Sequence, residues 1–325
     1  MKKINYSEAI KQSMFQAMQL DKKVIVYGLG VGNSSNIYGS TKGLKEKFGR
    51  NRVFDTPAAE SALTAMGAGM SLAGLRPLLI HQRFDFMIYS LDQIVNWIAL
   101  WSYKSGGKSQ MPITIRTIVG KGWGQGPQHS KSLHSWFAHL PGLSVVYPSS
   151  PYEAKGLMLS SIFSNFPTIF FESRSLHSMQ EDVPSKPYFL DPTRAFVRLK
   201  GKDLTIVSFG PSVKNAVNIA DILKKRKKIS CEVIDLRSIN PLDFNTILNS
   251  VKKTKNLCLI EHGWPNVSIS SDIISKVSER IKLRNKPLKF CWPNSYTPTS
   301  HRLEKEFYFS DDKIVKQIIE HQLKK

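Results

Sequence analysis

The sequence predicts an α/β protein of two domains, each a mostly parallel sheet flanked by helices. Short apolar runs such as VIVYG from Val24, PITIRTIVG from Pro112 and DLTIVSFG from Asp203 alternate with helical stretches, the pattern of parallel sheets covered on both faces. The alternation breaks between Ser175 and Lys202, where Pro184, Pro187 and Pro192 read as a connecting segment, and then resumes. A chain of 325 residues is long enough for two sizeable cores. The expected division is 1–175, a linker at 176–201, and 202–325.

In the first domain Ser7 is the expected cap of a helix with Ile10, Met14, Ala17 and Met18 at helical spacing. VIVYG is a buried strand ending in Gly28, Gly30 and Gly32. Asn33 stands where a GxGxxG turn needs its last glycine, and no acidic ribose ligand follows at the right distance, so a nicotinamide cofactor is not indicated.

After a strand ending at Arg52, Val53 and Phe54, the stretch DTPAAESALTAMGAGMSLAG reads as a helix. Asp55 or Thr56 serves as its cap and Pro57 fits its first position. Glu60 then falls in or just after the opening turn, where the positive end of the helix dipole favours a carboxylate. That pattern fits a capping residue and a catalytic one alike. Gly67 and Gly69 inside the helix each cost about 1 kcal/mol relative to alanine, which predicts a close approach by a neighbour.

LRPLLIHQRF from Leu75 is a strand running into a turn at Asp85, and SLDQIVNWIALWSY from Ser90 is a helix. Its Trp97 and Trp101 are at helical spacing, which suits packing or a subunit contact. The strand from Pro112 empties into a loop with glycines at 120, 122, 124 and 126, either mobile or tightly turned. LSVVYP, the helix SPYEAKGLMLSSIF and the strand TIFFE complete the domain. In the second domain the strands DLTIVSFG, CEVIDL, NLCLIEHG and LKFCW alternate with helices near 213–223, 244–252 and 270–281, and KIVKQIIEHQLKK closes the chain.

No apolar stretch approaches the length of a membrane span and the amino terminus lacks signal-peptide features. The unpaired spacing of Cys231, Cys258 and Cys291 suggests reduced thiols, hence a cytoplasmic setting. The formal charge of +21 admits nucleic acid, an anionic membrane or an acidic protein as partner. The lysines are spread along the chain, and the one dense run, Lys224 to Lys228, sits where a helix should end, a place that favours cations. Neither nucleic acid nor membrane is therefore expected.

The runs GLKEKFG at Gly43, RVFDTPAAES, GMSLAGLRP, DQIVNW, SGG from Ser105, HSKS from His129, FAHLPGLSVVYPSSPYEAKGL, KDLTIVSFG, EVIDLRSINPLD and SVKKTKNLCLIEHG resemble, in this order, the beta subunits of thiamine-diphosphate-dependent 2-oxo acid dehydrogenases. Pyruvate dehydrogenase is the best-known member. The resemblance implies a transketolase-like pyrimidine-binding domain followed by a transketolase C-terminal-like domain. It implies decarboxylation of a 2-oxo acid with transfer of the acyl group to lipoamide.

Residue by residue, Glu60 matches the family carboxylate that hydrogen-bonds the aminopyrimidine ring and so helps form the cofactor's ylid. Phe84 matches the aromatic expected to pack on that ring; a core phenylalanine is its alternative. Gln82 lies on the same side of the strand and is a candidate lining residue. His129 matches a histidine near the reacting centre, suited to holding a carboxylate or donating a proton. His139 also has a family counterpart, read as structural, and His134 has none.

A GDG motif for binding the diphosphate through Mg²⁺ is absent from the sequence. The resemblance therefore implies that this chain supplies the pyrimidine half of the site and that a GDG-bearing alpha subunit supplies the Mg²⁺ half in an α₂β₂ heterotetramer, with a lipoyl acyltransferase as a possible further partner. Leu29 and Gly30 stand where the family has acidic residues, His81 replaces a frequent acid, and the stretch after Glu261 lacks glycines the family often has. These departures keep a split-transketolase-like ketol transferase or carboligase in view, and a non-catalytic subunit that retains the fold is the alternative from another class.

Overall fold

The computed structural model describes residues 1–33, 36–122 and 124–322. Trp123 of the glycine loop and the last LKK of the expected closing helix lie outside the described residues; that helix runs Asp311–Gln322.

The first sheet has seven strands in the order Ser238–Asn240, Ser144–Val146, Thr168–Ser173, Thr114–Val119, Arg76–His81, Val24–Gly28 and Val53–Asp55. All neighbours are parallel except the first pair. Its strands Val24–Gly28, Thr114–Val119 and Thr168–Ser173 are buried along their whole length because helices cover both faces. On one face the helices Tyr6–Leu20 and Pro151–Phe163 pack over Ile80 and Ile118. On the other, the helix Glu60–Leu72 and the segment from Phe84 cover Leu79, Ile115 and Val119. Side chains alternate along a strand, so His81 and Thr117, paired in register, fall on this second face at the carboxyl ends of their strands.

The second sheet has five strands, Leu288–Phe290, Leu257–Ile260, Leu204–Ser208, Cys231–Asp235 and Phe196–Leu199, parallel except for the last, antiparallel edge strand. The segment 176–201, read from sequence as a connector, is itself structured. Gln180–Val183 pairs with Lys2–Asn5, and Phe196–Leu199 is the edge of the second sheet. Ser238–Asn240 leaves the second half of the chain to extend the first sheet.

Charged pairs stitch this exchange. Arg237 donates to both oxygens of Glu153 at 2.7 and 2.9 Å, and Arg198 reaches Glu153 and Asp235 at 3.0 and 2.9 Å.

Three local expectations are corrected. Asn5, not Ser7, caps the first helix by accepting the Glu8 N–H at 2.8 Å. The stretch from Ser90 is not one regular helix: it passes through a π-helical segment, Gln93–Ile98, with Ala99 N donating to Ile94 O, before an α-helical turn at Trp101–Lys104. The helix expected to begin at Pro57 begins at Glu60, with Ala59 in the cap position. Asp55 instead accepts the Gly30 N–H at 2.6 Å.

Candidate active site

The first turn of the helix Glu60–Leu72 lies beside the carboxyl end of the strand Arg76–His81. Leu29, Pro57, Glu60, His81, Gln82 and Phe86 line a cavity of about 70 Å³ there. Glu60 is half-buried as the first residue of its helix, where unpaired backbone N–H groups favour an anion. Thr64 steadies the turn by donating to the Glu60 carbonyl at 2.8 Å. The close approach predicted for the helix glycines is real at Gly67, where a Cβ would stand 2.3 Å from the Tyr27 hydroxyl. No such neighbour meets Gly69.

Gln82 is fixed by donating from Nε2 to the Leu29 carbonyl at 2.9 Å. Phe84 lies elsewhere. It is fully buried in the core, with its ring centroid 5.3 Å from Phe171 and 5.9 Å from Phe137, so its face is not open to a ligand. Two residues on, Phe86 lines the cavity and meets the His129 ring edge-on at 5.4 Å. The structure thus brings Glu60, Gln82 and Phe86 around one cavity, adds His129 through Phe86, and leaves Phe84 outside. Phe86 was missed because FDF offers two phenylalanines whose directions depend on the turn Phe84–Met87 that begins there.

Around this point buried polar atoms have no hydrogen-bond partner among the described residues: Thr56 Oγ1, His81 Nε2, Asp85 Oδ2, Thr117 Oγ1 and His129 Nδ1. Buried polar groups are nearly always hydrogen-bonded, so such a concentration marks a place for water or a ligand. Burial pulls the imidazole of His81 down to about 4, leaving it neutral at pH 7. Burial raises the pKa of Asp85, against the hydrogen bonds and charge of Lys131, whose Nζ lies 3.2 Å away.

The loop carrying His129 is held from the second domain. Gly122 and Gly124 take positive φ, and their N–H groups donate to the two oxygens of the buried Glu304 at 2.8 and 2.9 Å; of the two expected forms, the described part of the loop takes the tight turns. A Cβ on Gly120 would stand 2.2 Å from the His129 carbonyl, so that position requires glycine. Beyond His129, His134 Nε2 meets Glu261 at 2.8 Å and its Nδ1 meets Ser132 Oγ at 3.0 Å. Burial opposes ionisation of Glu261, but His134 and Ser270 hold its pKa below the usual range. A cleft of about 390 Å³ over this pair is lined by Trp136, Trp264 and the exposed His139. The polar atoms of its His134–Glu261 floor are already paired, which distinguishes it from the smaller cavity at Glu60.

Residues 2–179 match the family described as transketolase, pyrimidine binding domain, and residues 194–314 match transketolase, C-terminal domain. The chain is 38% identical to the beta subunit of acetoin:2,6-dichlorophenolindophenol oxidoreductase of Bacillus subtilis, over 98% of this chain and 96% of the relative. It is 35% identical to the pyruvate dehydrogenase E1 component subunit beta of the same organism, over 90% of this chain and 91% of the relative. The chain belongs to the 2-oxo acid dehydrogenase-type beta subunits.

Among solved structures, a split gene transketolase described as an inactive beta4 tetramer superposes with a TM-score of 0.82 at 19% identity, covering 98% of this chain and 99% of that one. Transketolase of Pichia stipitis gives 0.71 at 14% identity, covering 99% of this chain and 46% of that one. At such identities the likeness is one of fold. It places the beta subunit's two sheets in the architecture that the family matches describe. Among the described residues no helix is long and apolar enough to cross a membrane.

Proposed function

We propose that this chain is the beta subunit of a thiamine-diphosphate-dependent 2-oxo acid dehydrogenase, decarboxylating a 2-oxo acid and passing the acyl group to lipoamide together with an alpha subunit. The observation that carries the reading is the convergence of Glu60, Gln82 and Phe86 on one cavity edged by partnerless buried polar atoms, within a domain matched to the pyrimidine-binding family. Those residues fit the group. Glu60 would hold the pyrimidine ring by a charge-assisted hydrogen bond, Phe86 in place of Phe84 would pack on it, and Gln82 would line its edge. Thiamine diphosphate, when bound, supplies the carbanion chemistry that cleaves the bond beside a carbonyl. His129, whose Nδ1 has no partner among the described residues and whose ring meets Phe86, would hold the substrate carboxylate or move a proton.

A cavity of about 70 Å³ is far below the 300–1,000 Å³ typical of a complete small-molecule site. This supports a site completed by a second chain, which would bring the diphosphate-binding half with its Mg²⁺ and form an α₂β₂ heterotetramer. A lipoyl acyltransferase would be the acyl acceptor's carrier. The free cysteines suit the cytoplasm, and we divide the chain functionally at 176–201.

A second reading is favoured by the 38% identity to the acetoin:2,6-dichlorophenolindophenol oxidoreductase subunit along nearly the whole chain: a substrate without a carboxylate, cleaved with an artificial dye as acceptor. The neutral His81, Leu29 and Gly30 in place of family acids are compatible with such a substrate. One assay separates the two. The chain, co-purified with its GDG-bearing partner and loaded with thiamine diphosphate, is given a panel of 2-oxo acids and, separately, acetoin with 2,6-dichlorophenolindophenol. CO₂ release from an oxo acid supports the first reading, and dye reduction with acetoin alone supports the second. Neither result, with cofactor bound, would reject both and turn attention to ketol transfer.

A further inference from the structure

In a parallel sheet covered by helices, each helix runs back against the strands, so helix carboxyl ends gather at the edge where the strands begin. In the second domain that edge is loaded with cations. Lys224 to Lys228 close the helix Ser212–Lys227, Lys252, Lys253 and Lys255 close Phe244–Thr254, and Lys282, Arg284 and Lys286 precede the strand Leu288–Phe290; all are exposed.

Backbone and side-chain hydrogen bonds hold these segments side by side. Lys202 N donates to Ser230 O at 3.1 Å, Arg284 N to Lys255 O at 2.9 Å, and Asn256 Nδ2 to Asp203 O at 2.9 Å. Lys225, Arg226 and Lys253 have carboxylate partners in Asp221, Asp312 and Glu232. The other cations of these three runs meet no carboxylate among the described residues.

Helix ends favour a cation or two, but that does not account for this density. Lys228 and Lys255 moreover occupy left-handed C-cap positions, at φ 58° and 55°, where glycine is the usual residue. Lysine stands at both despite the strain.

A groove of about 370 Å³ opens beside this edge, between Leu199 of the edge strand and Val217 and Ala220 of the neighbouring helix, with Lys200, Lys224 and Asp221, the last neutralised by Lys225, on its lining. Lysine, a flexible point charge, outnumbers arginine, the planar fork suited to phosphate. No exposed large aromatic belongs to the three cationic runs, whereas stacking rings are the usual companions of charge in single-strand nucleic-acid binding. We propose that this edge docks an acidic polypeptide segment of a partner protein, seating one apolar side chain in the Leu199 groove.

The test titrates the assembled enzyme, by fluorescence anisotropy at low salt, with a glutamate-rich peptide carrying one leucine, the same peptide with serine in its place, and random-sequence duplex DNA. Two sets of charge reversals to glutamate with the same net charge are compared. One set changes Lys224, Lys228, Lys252 and Lys255, and the other changes the exposed Lys2, Lys22, Lys42 and Lys47. A glutamine set at the first four positions guards against a reversal that fails to fold.

The proposal expects peptide affinity to fall about tenfold or more in the edge sets and to change less than about threefold in the control set, with the leucine peptide binding more tightly than its serine form. Equal losses in both sets, no peptide binding by the wild-type enzyme, no preference for leucine, or tighter binding of DNA than of peptide would each overturn it.

Discussion

Arg116 and Thr117 are neighbours on one strand, face opposite sides of the first sheet, and meet opposite circumstances. Arg116, wholly buried under the first helix, donates to both oxygens of Glu172 at 2.7 and 3.1 Å and to Ser40 at 2.8 Å, while His177 closes on the same carboxylate. Burial opposes ionisation of Glu172, but Arg116 and His177 bring its pKa down to about 2. Across the sheet, Thr117 Oγ1 and the adjacent His81 Nε2 are buried without partners among the described residues. One face is built around a bidentate ion pair, with the Tyr6 hydroxyl beside it the buried polar atom left over; the other has no such pair at His81 and Thr117 and leaves their hydrogen-bonding capacity open beside Glu60. The proposed site follows this difference rather than cavity size, since the cleft of about 390 Å³ lies over the paired His134 and Glu261.

Breaking the closed face should give the largest effect. Arg116→Ala would leave Glu172 buried against His177 alone, and loss of one partner of a buried ion pair costs about 3–5 kcal/mol. Phe84→Ala, in the core of the opposite face, should match it in size: a wholly buried ring costs about 3–5 kcal/mol of stability. Denaturant unfolding of the chain would show both, and cofactor affinity of the fraction that remains folded should be unchanged. If Phe84→Ala instead loses cofactor while unfolding as the wild type does, Phe84 and not Phe86 is the ring that meets the cofactor.

Acid separates the two faces by pH. His81 has a folded pKa near 4, below its ordinary 6.5, so the unfolded chain takes up its proton first. Its contribution is complete above pH 6.5, declines as pH falls, and is gone below about 4, for about 3 kcal/mol in all. Glu172, held near 2 against an ordinary 4.5, contributes fully above 4.5 and loses its share as pH falls through 2. Melting temperature against pH should therefore show two acid limbs. His81→Asn should make the upper limb shallower, the buried His262 keeping the remainder, and leave the lower; Glu172→Gln should make the lower limb shallower, Glu261 keeping part of it, and leave the upper. A single limb unaffected by His81→Asn would mean that this face is not closed to protons.

The sequence made one of these faces far more legible than the other. Alternation of apolar strands and helices foretold both sheets, because that signal is local, whereas the local pattern at Glu60 fitted a cap and a catalytic group alike and only the family resemblance through DTPxxE singled it out. The exchange of Ser238–Asn240 into the first sheet was hidden, since three residues have no periodicity to read. Phe86 was hidden because strand alternation stops at His81 and the direction of each following ring depends on a turn. From the other domain Glu304 reaches the His129 loop and Glu261 reaches His134 just beyond it. Only the place of Glu261, just past the carboxyl end of the strand Leu257–Ile260, was a usable hint.

On the open face the catalytic reading makes Glu60→Gln costly to turnover and nearly silent in stability. The side chain keeps its size at a half-buried helix start, but a neutral amide cannot make the charge-assisted bond. Turnover should fall about a hundredfold, the lower part of the range for a positioned proton-transfer group, while unfolding changes by less than about 0.5 kcal/mol. Rates of the cofactor-loaded complex and a melt of the same preparation decide it. Unchanged turnover would make the chain a non-catalytic subunit that retains the fold.

The smallest effect should come from Phe86→Ala. The ring lines the cavity and touches His129 edge-on, so removing it deletes one aromatic contact to a bound ring and loosens the placement of one histidine. An aromatic pair adds about 0.5–1.5 kcal/mol beyond the area it buries, which corresponds to cofactor binding weaker by roughly tenfold at the upper end. Half-saturation of activity by thiamine diphosphate measures it, and Phe86→Tyr or Phe86→Leu sharpens the result. Tyrosine keeps the face and should restore most of the affinity, whereas leucine keeps the apolar volume but not the face. If leucine restores as much as tyrosine, Phe86 acts by filling space and excluding water, and recognition of the pyrimidine ring rests on Glu60 and the partnerless polar atoms around it.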